Sequence, residues 1–434
     1  LYDITSSSIT AGVNTGKLVI ATRLGGNYAA GAATGPGVTL TLSGVQTATT
    51  LLASGRVQTD NYNFTASLAT ERMYGCDGVN PEFEFDGTVY VPLKTGSTTR
   101  ATAVKCHKNH VFFGFRGSLQ HSGIMSPYQF TVITGAAELG TGDVITGLVS
   151  VAGSESSAAL LVLCQDSSWV LFGNSSANWQ FTPLSSDAGA NAYSAEDAGS
   201  PMCHDTPGFR AYRAAQEFGN FAWQLESRLI EPLVQNKTPV AAVFSKAFSR
   251  YRCFFSDGSV VSATPSGSGW EWSLLDYGRN IVLAWSGEVD GVTRTFYADD
   301  DGWVYEADVG RSFDGDAIEA TLVLHAMSQA QPMTEKTYRY AVVETIGEGP
   351  FNLTLGGEFD DGDPDKDPAQ SATARFFGGG AAWDSALYDR SFFDTTRLAR
   401  KRMNLEGAGF NVIAIFLSSS AEELAHQIKT LTIV

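Results

Sequence analysis

Asp86-Gly87-Thr88-Val89-Tyr90 is the first of four similar pentapeptides in this 434-residue chain. The others are Asp166-Ser167-Ser168-Trp169-Val170, Asp257-Gly258-Ser259-Val260-Val261 and Asp301-Gly302-Trp303-Val304-Tyr305. In each copy an Asp and a Gly or Ser favour a tight turn, and the β-branched and aromatic residues that follow favour a strand. Each pentapeptide therefore predicts the tip of a β-hairpin.

The spacing of the four copies predicts a repeat. Their aspartates are separated by 80, 91 and 44 residues. These gaps approximate two, two and one copies of a four-stranded propeller blade, which usually takes about 40 to 50 residues. Chance recurrence of Asp-Gly turns in another kind of all-β protein is the alternative, because four copies are few.

Three regions of the chain differ in charge and in the length of their apolar runs. Residues 1–65 are low in charge and β-rich, and they form either a separate N-terminal platform or part of the propeller. Residues 66–314 alternate short apolar runs with turn residues and are the propeller repeat region. Residues 315–434 contain longer alternating strands, such as Tyr338–Glu344, which are typical of a β-sandwich. The predicted fold is all-β, a β-propeller with an additional β-sandwich-like C-terminal domain, and the one helical signal is Ala421–His426.

Composition limits the classes of function. The formal net charge is −17 with only 29 Lys and Arg residues, so a non-specific grip on nucleic acid is not expected. No run of about 18 uncharged apolar residues occurs, which predicts no membrane span. The five cysteines lie 30 or more residues apart and form no Cys-x-x-Cys pair. We therefore expect free, buried thiols in a protein made in a reducing cytosol.

Two groups of residues could suggest a metal site. Cys106, His107, His110 and His121 are zinc-ligand types, but no second close pair follows, so a buried Cys and surface His residues are the favoured interpretation. The carboxylates of Asp361–Asp367 alternate as in a calcium loop, yet the Gly is misplaced and the closing Glu is absent. A solvated acidic loop is favoured there, and no cofactor is expected.

Catalytic and phosphate-binding motifs are also weak. Cys203-His204-Asp205 places a nucleophile beside a base, but consecutive residues of an extended chain point to opposite faces, so loop residues are favoured. Gly378-Gly379-Gly380 is not followed by Lys-Ser or Lys-Thr, which favours a flexible loop over a phosphate cradle. The chain has no Gly-x-Ser-x-Gly elbow. We therefore expect that the protein is not an enzyme.

One basic cluster interrupts the acidic chain. It comprises Arg397, Arg400, Lys401 and Arg402. The favoured interpretation is a surface that pairs with an acidic neighbouring subunit, and contact with phosphate is the alternative.

The order of several motifs resembles the nozzle proteins of short-tailed bacteriophages, also called tail tubular protein B or packaged-DNA stabilisation proteins. The pieces that carry this resemblance are Met73–Asn80 followed by Phe83–Gly87, then Lys108–Phe113, Ser126–Phe130, Gly142–Leu148, Leu160–Trp169 and Asn178–Phe181. The resemblance covers residues 70–434, is one of pattern and order, and is less clear before residue 66.

The resemblance implies a structural component of the virion. Such proteins form a homohexameric ring below the head-to-tail adaptor protein and carry tail fibres or tailspikes. Genomic DNA is retained behind the ring and passes through its channel on ejection without sequence-specific binding. The expected location is the phage tail, assembled in the cytoplasm of the bacterial host.

Two other classes of protein remain open at this point. A carbohydrate-binding propeller would use the eight Trp and 15 Tyr residues as stacking platforms, although such residues are more often part of a core. A baseplate hub or tail-fibre component of another phage is the second alternative, and a threefold rather than sixfold assembly would distinguish it.

Overall fold

The computed structural model describes the chain with gaps. Side chains and backbone are described for residues 51–65, 70–87, 90–151, 158–212, 224–267, 269–310, 312–347, 351–362, 365, 367, 369–376, 398–418 and 426–434, and further strand residues by backbone alone. The chain divides into two compact units, Leu1–Ala307 and Asp308–Val434. The division lies close to the boundary at residues 314 and 315 that the sequence predicts.

The N-terminal residues contribute five short strands. They are β1 (Ile9–Thr10), β2 (Val13–Asn14), β3 (Thr22–Arg23), β4 (Ala32–Gly35) and β5 (Val38–Thr41). The strands β1 and β2 pair with each other, as do β4 and β5, whereas β3 joins the outer edge of the first large sheet.

Six successive antiparallel sheets make up the rest of the first unit, each built from consecutive strands. Blade 1 contains β6 (Gln58–Tyr62), β7 (Arg72–Cys76), β8 (Phe83–Phe85) and β9 (Val89–Pro92), and blade 2 contains β10 (Ala103–His107), β11 (His110–Phe115), β12 (Ser118–His121) and β13 (Ala137–Gly140). Blade 3 contains β14 (Ile145–Val151), β15 (Ala159–Cys164), β16 (Ser168–Phe172) and β17 (Gln180–Ser185), and blade 4 contains β18 (Glu196–Asp197), β19 (Pro201–Asp205), β20 (Gly208–Ala214) and β21 (Phe221–Leu225). Blade 5 contains β22 (Pro239–Ser245), β23 (Arg250–Phe255), β24 (Val260–Ser266) and β25 (Gly269–Leu275), and blade 6 contains β26 (Ile281–Val289), β27 (Val292–Asp299) and β28 (Val304–Glu306).

The first strand of each blade contacts the first strand of the next, in the order β6, β10, β14, β18, β22 and β26. First strands therefore lie innermost, and each blade extends outward from them. This is the arrangement of a β-propeller, so the predicted fold class is confirmed. The strands β6 and β3 place parts of residues 1–65 in the first blade.

The hydrophobic core lies between neighbouring blades rather than at one centre. One cluster joins Phe112 and Leu119 of blade 2 to Ile145, Leu160 and Leu171 of blade 3. Because blades cover both faces of a second strand, all residues of β11 and of β15 are buried. Continuous apolar runs such as Ala159–Cys164 therefore replace the alternation that a one-sided sheet shows.

All five cysteines are free and buried. One lies in each of the first five blades, at Cys76, Cys106, Cys164, Cys203 and Cys253. Burial raises the pKa of these thiols, that of Cys164 to about 11. The prediction of free, buried thiols is confirmed.

Each of the four pentapeptides begins at a hairpin turn, but they do not all occupy the same place in a blade. The turns at Asp166, Asp257 and Asp301 join the second strand to the third, whereas the turn at Asp86 joins β8 to β9, the third strand to the fourth. In blade 1 the equivalent turn begins at Asp77. The 80-residue interval from Asp86 to Asp166 therefore joins turns at different positions in their blades, and it is wrong as a measure of the repeat.

A β-bulge provides a second repeated feature. In blades 3, 5 and 6 the first strand is bulged directly after its first residue, which is Ile145, Pro239 and Ile281 respectively. A bulge increases the local twist of a strand. Its recurrence at one position shows that the repeat resides in backbone geometry as well as in the turns.

The second unit is a β-sandwich, as the sequence predicts. One sheet has the order β29-β34-β31-β32, and the other has the order β33-β30-β35. Phe351, Leu355, Phe376, Met403 and Phe416 are among the residues of its shared core. The strands are β29 (Glu319–Val323), β30 (Lys336–Gly347), β31 (Pro350–Phe359), β32 (Ala369–Phe377), β33 (Leu398–Gly409), β34 (Val412–Ser419) and β35 (His426–Ile433).

Helix is scarce in the described part of the chain, where the α-helix is α1 (Glu231–Val234). Residues 421–425 of the predicted helical stretch lie outside the described residues, and His426 begins β35 instead. Among the described residues, no helix has the length and apolar character needed to cross a membrane.

Candidate functional site

The predicted basic cluster is divided between the two faces of a strand. Arg400, Lys401 and Arg402 follow one another in β33, and Arg397 lies outside the described residues. Alternation along the strand exposes Arg400 and Arg402 on one face and turns Lys401 toward the other. The ammonium of Lys401 lies 5.9 Å from the ring centre of Phe376, at the edge of the sandwich core.

The two exposed arginines have partners on β30. Arg400 forms an ion pair with Glu344, its cross-strand neighbour. The guanidinium carbon of Arg402 lies 3.7 Å from the ring centre of Tyr340. This stacking leaves the N–H groups at the guanidinium edge directed away from the ring. The sequence therefore overestimates the free positive charge on this surface.

The proposed zinc-ligand residues are buried, and the structure corrects the expectation of surface histidines. His107, His110 and His121 are all less than 9% exposed. Burial lowers the pKa of His107 and of His121 to about 4. Among the residues that the structure describes, no group of three or more His, Cys, Asp or Glu side chains is placed to hold a metal ion.

Two of these histidines build the contact between blades 2 and 3. The Nδ1 atoms of His110 and His121 lie 2.6 Å and 2.8 Å from the carbonyl oxygen of Ser122. Trp179 of blade 3 donates its indole N–H to Nε2 of His121 at 3.1 Å. Since Nε2 accepts this bond, Nδ1 of His121 carries the proton and donates to Ser122. The role of these histidines is packing.

Cys203, His204 and Asp205 form part of the buried strand β19, which corrects the expectation of a loop. Nε2 of His204 donates to the carbonyl oxygen of Val234 at 2.9 Å. Asp205 instead forms an ion pair with Arg210 at 2.9 Å. His204 and Asp205 thus have separate structural partners and Cys203 is buried, so the geometry is not that of a nucleophile and its base.

Two aspartates brace the turns between the second and third strands of blades 3 and 5. Asp143 accepts hydrogen bonds from the backbone N–H of Asp166 and the hydroxyl of Ser167, both at 2.9 Å. Asp257 accepts a hydrogen bond from the hydroxyl of Ser259 at 2.6 Å and forms an ion pair with Lys237 at 2.9 Å. The Ser259 bond, with Lys237, lowers the pKa of Asp257 to about 2. Both carboxylates therefore have hydrogen-bonding partners within the protein.

The loop between β31 and β32 contains the acidic run Asp361–Asp367, of which residues 363, 364 and 366 lie outside the described residues. Asp360 accepts hydrogen bonds from the backbone N–H groups of Phe410 and Asn411 at 2.6 Å and 3.2 Å. An open groove of about 740 Å³ lies nearby, lined by Glu335, Asp367, Gln370, Asn404, Glu406, Gly407 and Ala408. The groove is polar and acidic, and the interpretation of Asp361–Asp367 as a solvated acidic loop stays a prediction.

A charged cluster near the inner strands was not foreseen from the sequence. Lys105 of β10 forms an ion pair with Asp60 of β6 at 2.7 Å. Burial raises the pKa of Glu196 in β18 to about 7, although the charge of Lys105 opposes the shift. These residues come from blades 1, 2 and 4, and they are separated too widely in the sequence for spacing to reveal them.

Many aromatic residues pack against one another, some within a blade and others between neighbouring blades. Trp169 stacks on Phe181 with ring centres 4.9 Å apart, and Phe209 stacks on Trp272 at 5.0 Å. Rings packed in this way are less available as stacking platforms for a carbohydrate, whereas Trp285 and Trp303 are 46% and 67% exposed.

No protein-family model matches the chain, and no curated protein matches it. Among solved structures it is similar to BBS1N in complex with ARL6DN, with 16% identity, 58% of this chain and 77% of that chain covered, and a TM-score of 0.40. Kluyveromyces lactis Hsv2 matches with 11% identity over 57% of this chain and 75% of that chain, with a TM-score of 0.36. The extracellular domain of the putative one component system BT4673 from B. thetaiotaomicron matches with 11% identity, over 71% of this chain and 36% of that chain, with a TM-score of 0.38.

The strand topology is sufficient to assign the fold class of this chain. It is an all-β protein in which a propeller of successive antiparallel blades is followed by a β-sandwich. The candidate zinc ligands, the triplet Cys203–Asp205 and the residues Arg400, Lys401 and Arg402 each have a structural partner or a packed position.

Proposed function

We propose that this protein is a structural virion component, the tail nozzle of a short-tailed bacteriophage. Six copies form a ring below the head-to-tail adaptor, hold fibres or tailspikes, retain the packaged genome and let it pass on ejection. The observation that carries the proposal is the ordered resemblance of residues 70–434 to that family.

The placement of the resembling pieces supports this proposal. The seven short motifs all fall in the first three blades, and a C-terminal domain that finishes in paired strands also fits that family. Met73–Asn80 ends in a turn where Asp77 accepts hydrogen bonds from the backbone N–H groups of Val79 and Asn80 at 2.9 Å and 2.6 Å. Asn80 in turn donates to the carbonyl oxygen of Leu52 at 2.9 Å. The shared pattern is therefore one that builds blades, as a family of non-enzymatic scaffold proteins requires.

Net charge also supports the proposal. A ring of chains that each carry −17 repels the phosphates of DNA, so cargo passes without adhering. Blades that bury both faces of their central strands resist deformation, which suits a channel component that holds DNA under pressure.

Cryo-electron microscopy of intact particles tests this proposal. We expect six copies of the chain around a DNA-sized channel below the adaptor. Three copies would instead identify a hub or tail-fibre component, and absence of the chain from the particle would reject a virion role.

A binding measurement provides an independent test. We expect the purified chain to bind duplex DNA no more tightly than a neutral protein at 50 mM salt, where charge attraction is strong. Binding that weakens steeply with added salt would identify a basic phosphate-binding surface and contradict a non-adhering channel.

A further inference from the structure

An apolar ridge projects from blade 2, on the loop of residues 122–136 that joins β12 to β13. Four large side chains of this loop are exposed, namely Ile124 at 52%, Met125 at 60%, Val132 at 84% and Ile133 at 99%. We call these four residues the apolar ridge. Clustered exposed apolar side chains on a soluble protein commonly mark an interaction site.

The frame of the ridge is fixed. The N–H of Gly123 donates to the carbonyl oxygen of Gln129 at 2.8 Å, and that of Gly135 donates to Val132 at 3.0 Å. Below the ridge, the hydroxyl of Tyr128 donates to the buried carboxylate of Glu84 at 2.6 Å. A ridge that is held in place before contact loses little conformational entropy when a partner binds.

A second apolar surface lies on the segment 228–234, between blades 4 and 5. Leu229 and Leu233 are four residues apart in this helical segment and are 94% and 47% exposed. Ile230 and Val234, also four apart, pack into the core between the same blades. The bond from His204 to the carbonyl oxygen of Val234 fastens the segment. We call Leu229 and Leu233 the leucine turn.

Strand direction places these two surfaces at opposite ends of the propeller. The ridge joins a third strand to a fourth, and Met125 bonds to Asn109 in the turn between the first and second strands. The leucine turn leads into a first strand, and Asn236 just after it bonds to Thr206 in the turn between the second and third strands. In an antiparallel blade these two kinds of connection lie at opposite ends.

Charge favours a second copy of this chain as the occupant of the ridge. Residues 117–137 contain no Asp, Glu, Lys or Arg. Two chains with a net charge of −17 repel each other, and contact between them costs least where a surface carries no net charge. The segment 228–234 carries Arg228 and Glu231, whose formal charges cancel, and its two exposed leucines supply an apolar surface on the same chain.

We propose that the apolar ridge of one copy packs against the leucine turn of the next. This contact uses different surfaces on its two sides, so each copy can hold two neighbours and the assembly can close into a ring. The inference rests on the proposed function, because it identifies the contact that would join copies of the nozzle.

Cysteine cross-linking of the full chain tests the contact. One variant carries Ile133→Cys and another Leu229→Cys, and a short bismaleimide is added to each alone and to their mixture at high protein concentration. We expect cross-linked dimers from the mixture and few from either variant alone. Dimers from Ile133→Cys alone, or none from the mixture, would overturn the proposed contact.

A charge substitution provides the second measurement. Ile133→Asp should weaken self-association measured by sedimentation by at least about tenfold, since it buries an unpaired charge in the contact. Met333→Asp is the matched control, because Met333 is 90% exposed but lies in the other unit. Equal effects of the two substitutions, or no self-association of the unmodified chain at any soluble concentration, would overturn the inference.

Imaging of particles separates this inference from the proposed function. Six copies that touch through other surfaces would reject the contact alone. Cross-linking between Ile133→Cys and Leu229→Cys, with the chain absent from particles, would retain the contact and reject the nozzle.

Discussion

The guanidinium carbon of Arg56 lies 3.6 Å from the ring centre of Tyr193. Arg56 comes just before the inner strand of blade 1, and Tyr193 comes just before the inner strand of blade 4. The contact thus joins two blades that are not neighbours in the chain. Tyr193 adopts a left-handed backbone conformation with φ of 64°, which is unfavourable for a bulky residue, so the surrounding structure holds it in place.

This contact should couple blades 1 and 4 energetically. Arg56→Ala and Tyr193→Leu should each destabilise the protein, and the double variant should lose less than the sum. The expected coupling is about 0.5–2 kcal/mol, the usual range for a cation–π pair. Urea unfolding of the four proteins measures it. Strict additivity would show that the two side chains are neighbours without a favourable interaction.

The buried histidines should make stability depend on pH. His121 takes up a proton near pH 4 in the folded protein, whereas an unfolded chain does so near about pH 6.5. Between these values the unfolded state binds more protons. The contribution of His121 to the free energy of unfolding is therefore complete above pH 6.5 and is lost as the pH falls toward 4.

Thermal unfolding of the unmodified chain and of His121→Gln tests this prediction. The difference in stability between them should shrink on going from pH 7 to pH 4, by at most about 3 kcal/mol. Glu196 acts in the opposite direction, because its raised pKa removes stability as the pH rises. Comparison of the two proteins cancels that contribution, and a constant difference across the range would contradict a buried neutral His121.

Asp257 should stabilise its turn more than Asp301 does, although both begin the same kind of turn. Asp257→Ala removes the bonds from Ser259 and Lys237 and should cost about 1 kcal/mol, a modest value because the side chain is half exposed. Asp301→Ala is the matched substitution at an exposed turn and should change stability by less than about 0.5 kcal/mol. Chemical denaturation at pH 7 compares them. Equal losses would mean that turn geometry alone is responsible.

Gly407 should tolerate no side chain. A Cβ atom there would lie within 2.0 Å of two ring atoms of Phe359, so Gly407→Ala should destabilise the sandwich by about 1–3 kcal/mol through overpacking. Gly356 of the same sandwich has open space around a Cβ, and Gly356→Ala is the control. Adding Phe359→Leu should recover part of the loss at residue 407. An unchanged melting temperature for Gly407→Ala would refute this close packing.

The sequence predicts the turns and strands of the propeller because local chemistry determines them. Blades 2 and 4 have no copy of the pentapeptide, because their corresponding turns, at Arg116 and Thr206, lack the Asp-Gly sequence. The bulge after Ile145, Pro239 and Ile281 is a property of pairing between strands, so no residue type marks it.

Adjacency along the chain does not determine which side chains meet in the folded protein. Arg400, Lys401 and Arg402 are consecutive, yet a strand directs neighbours to opposite faces. His110 and His121 looked polar and exposed, but a blade covers each strand on both sides. Which side chains meet across blades depends on contacts between distant segments, and the apolar ridge became visible only from the exposure of its residues.

The cysteines lie one in each of blades 1 to 5, and all are buried. A thiol-reactive dye added to the unmodified chain can therefore modify each of them only when its blade opens. The five rates of modification, measured separately by mass spectrometry, would give the relative rates at which the individual blades open. The protein carries its own position-specific probes of local unfolding, without any engineered label.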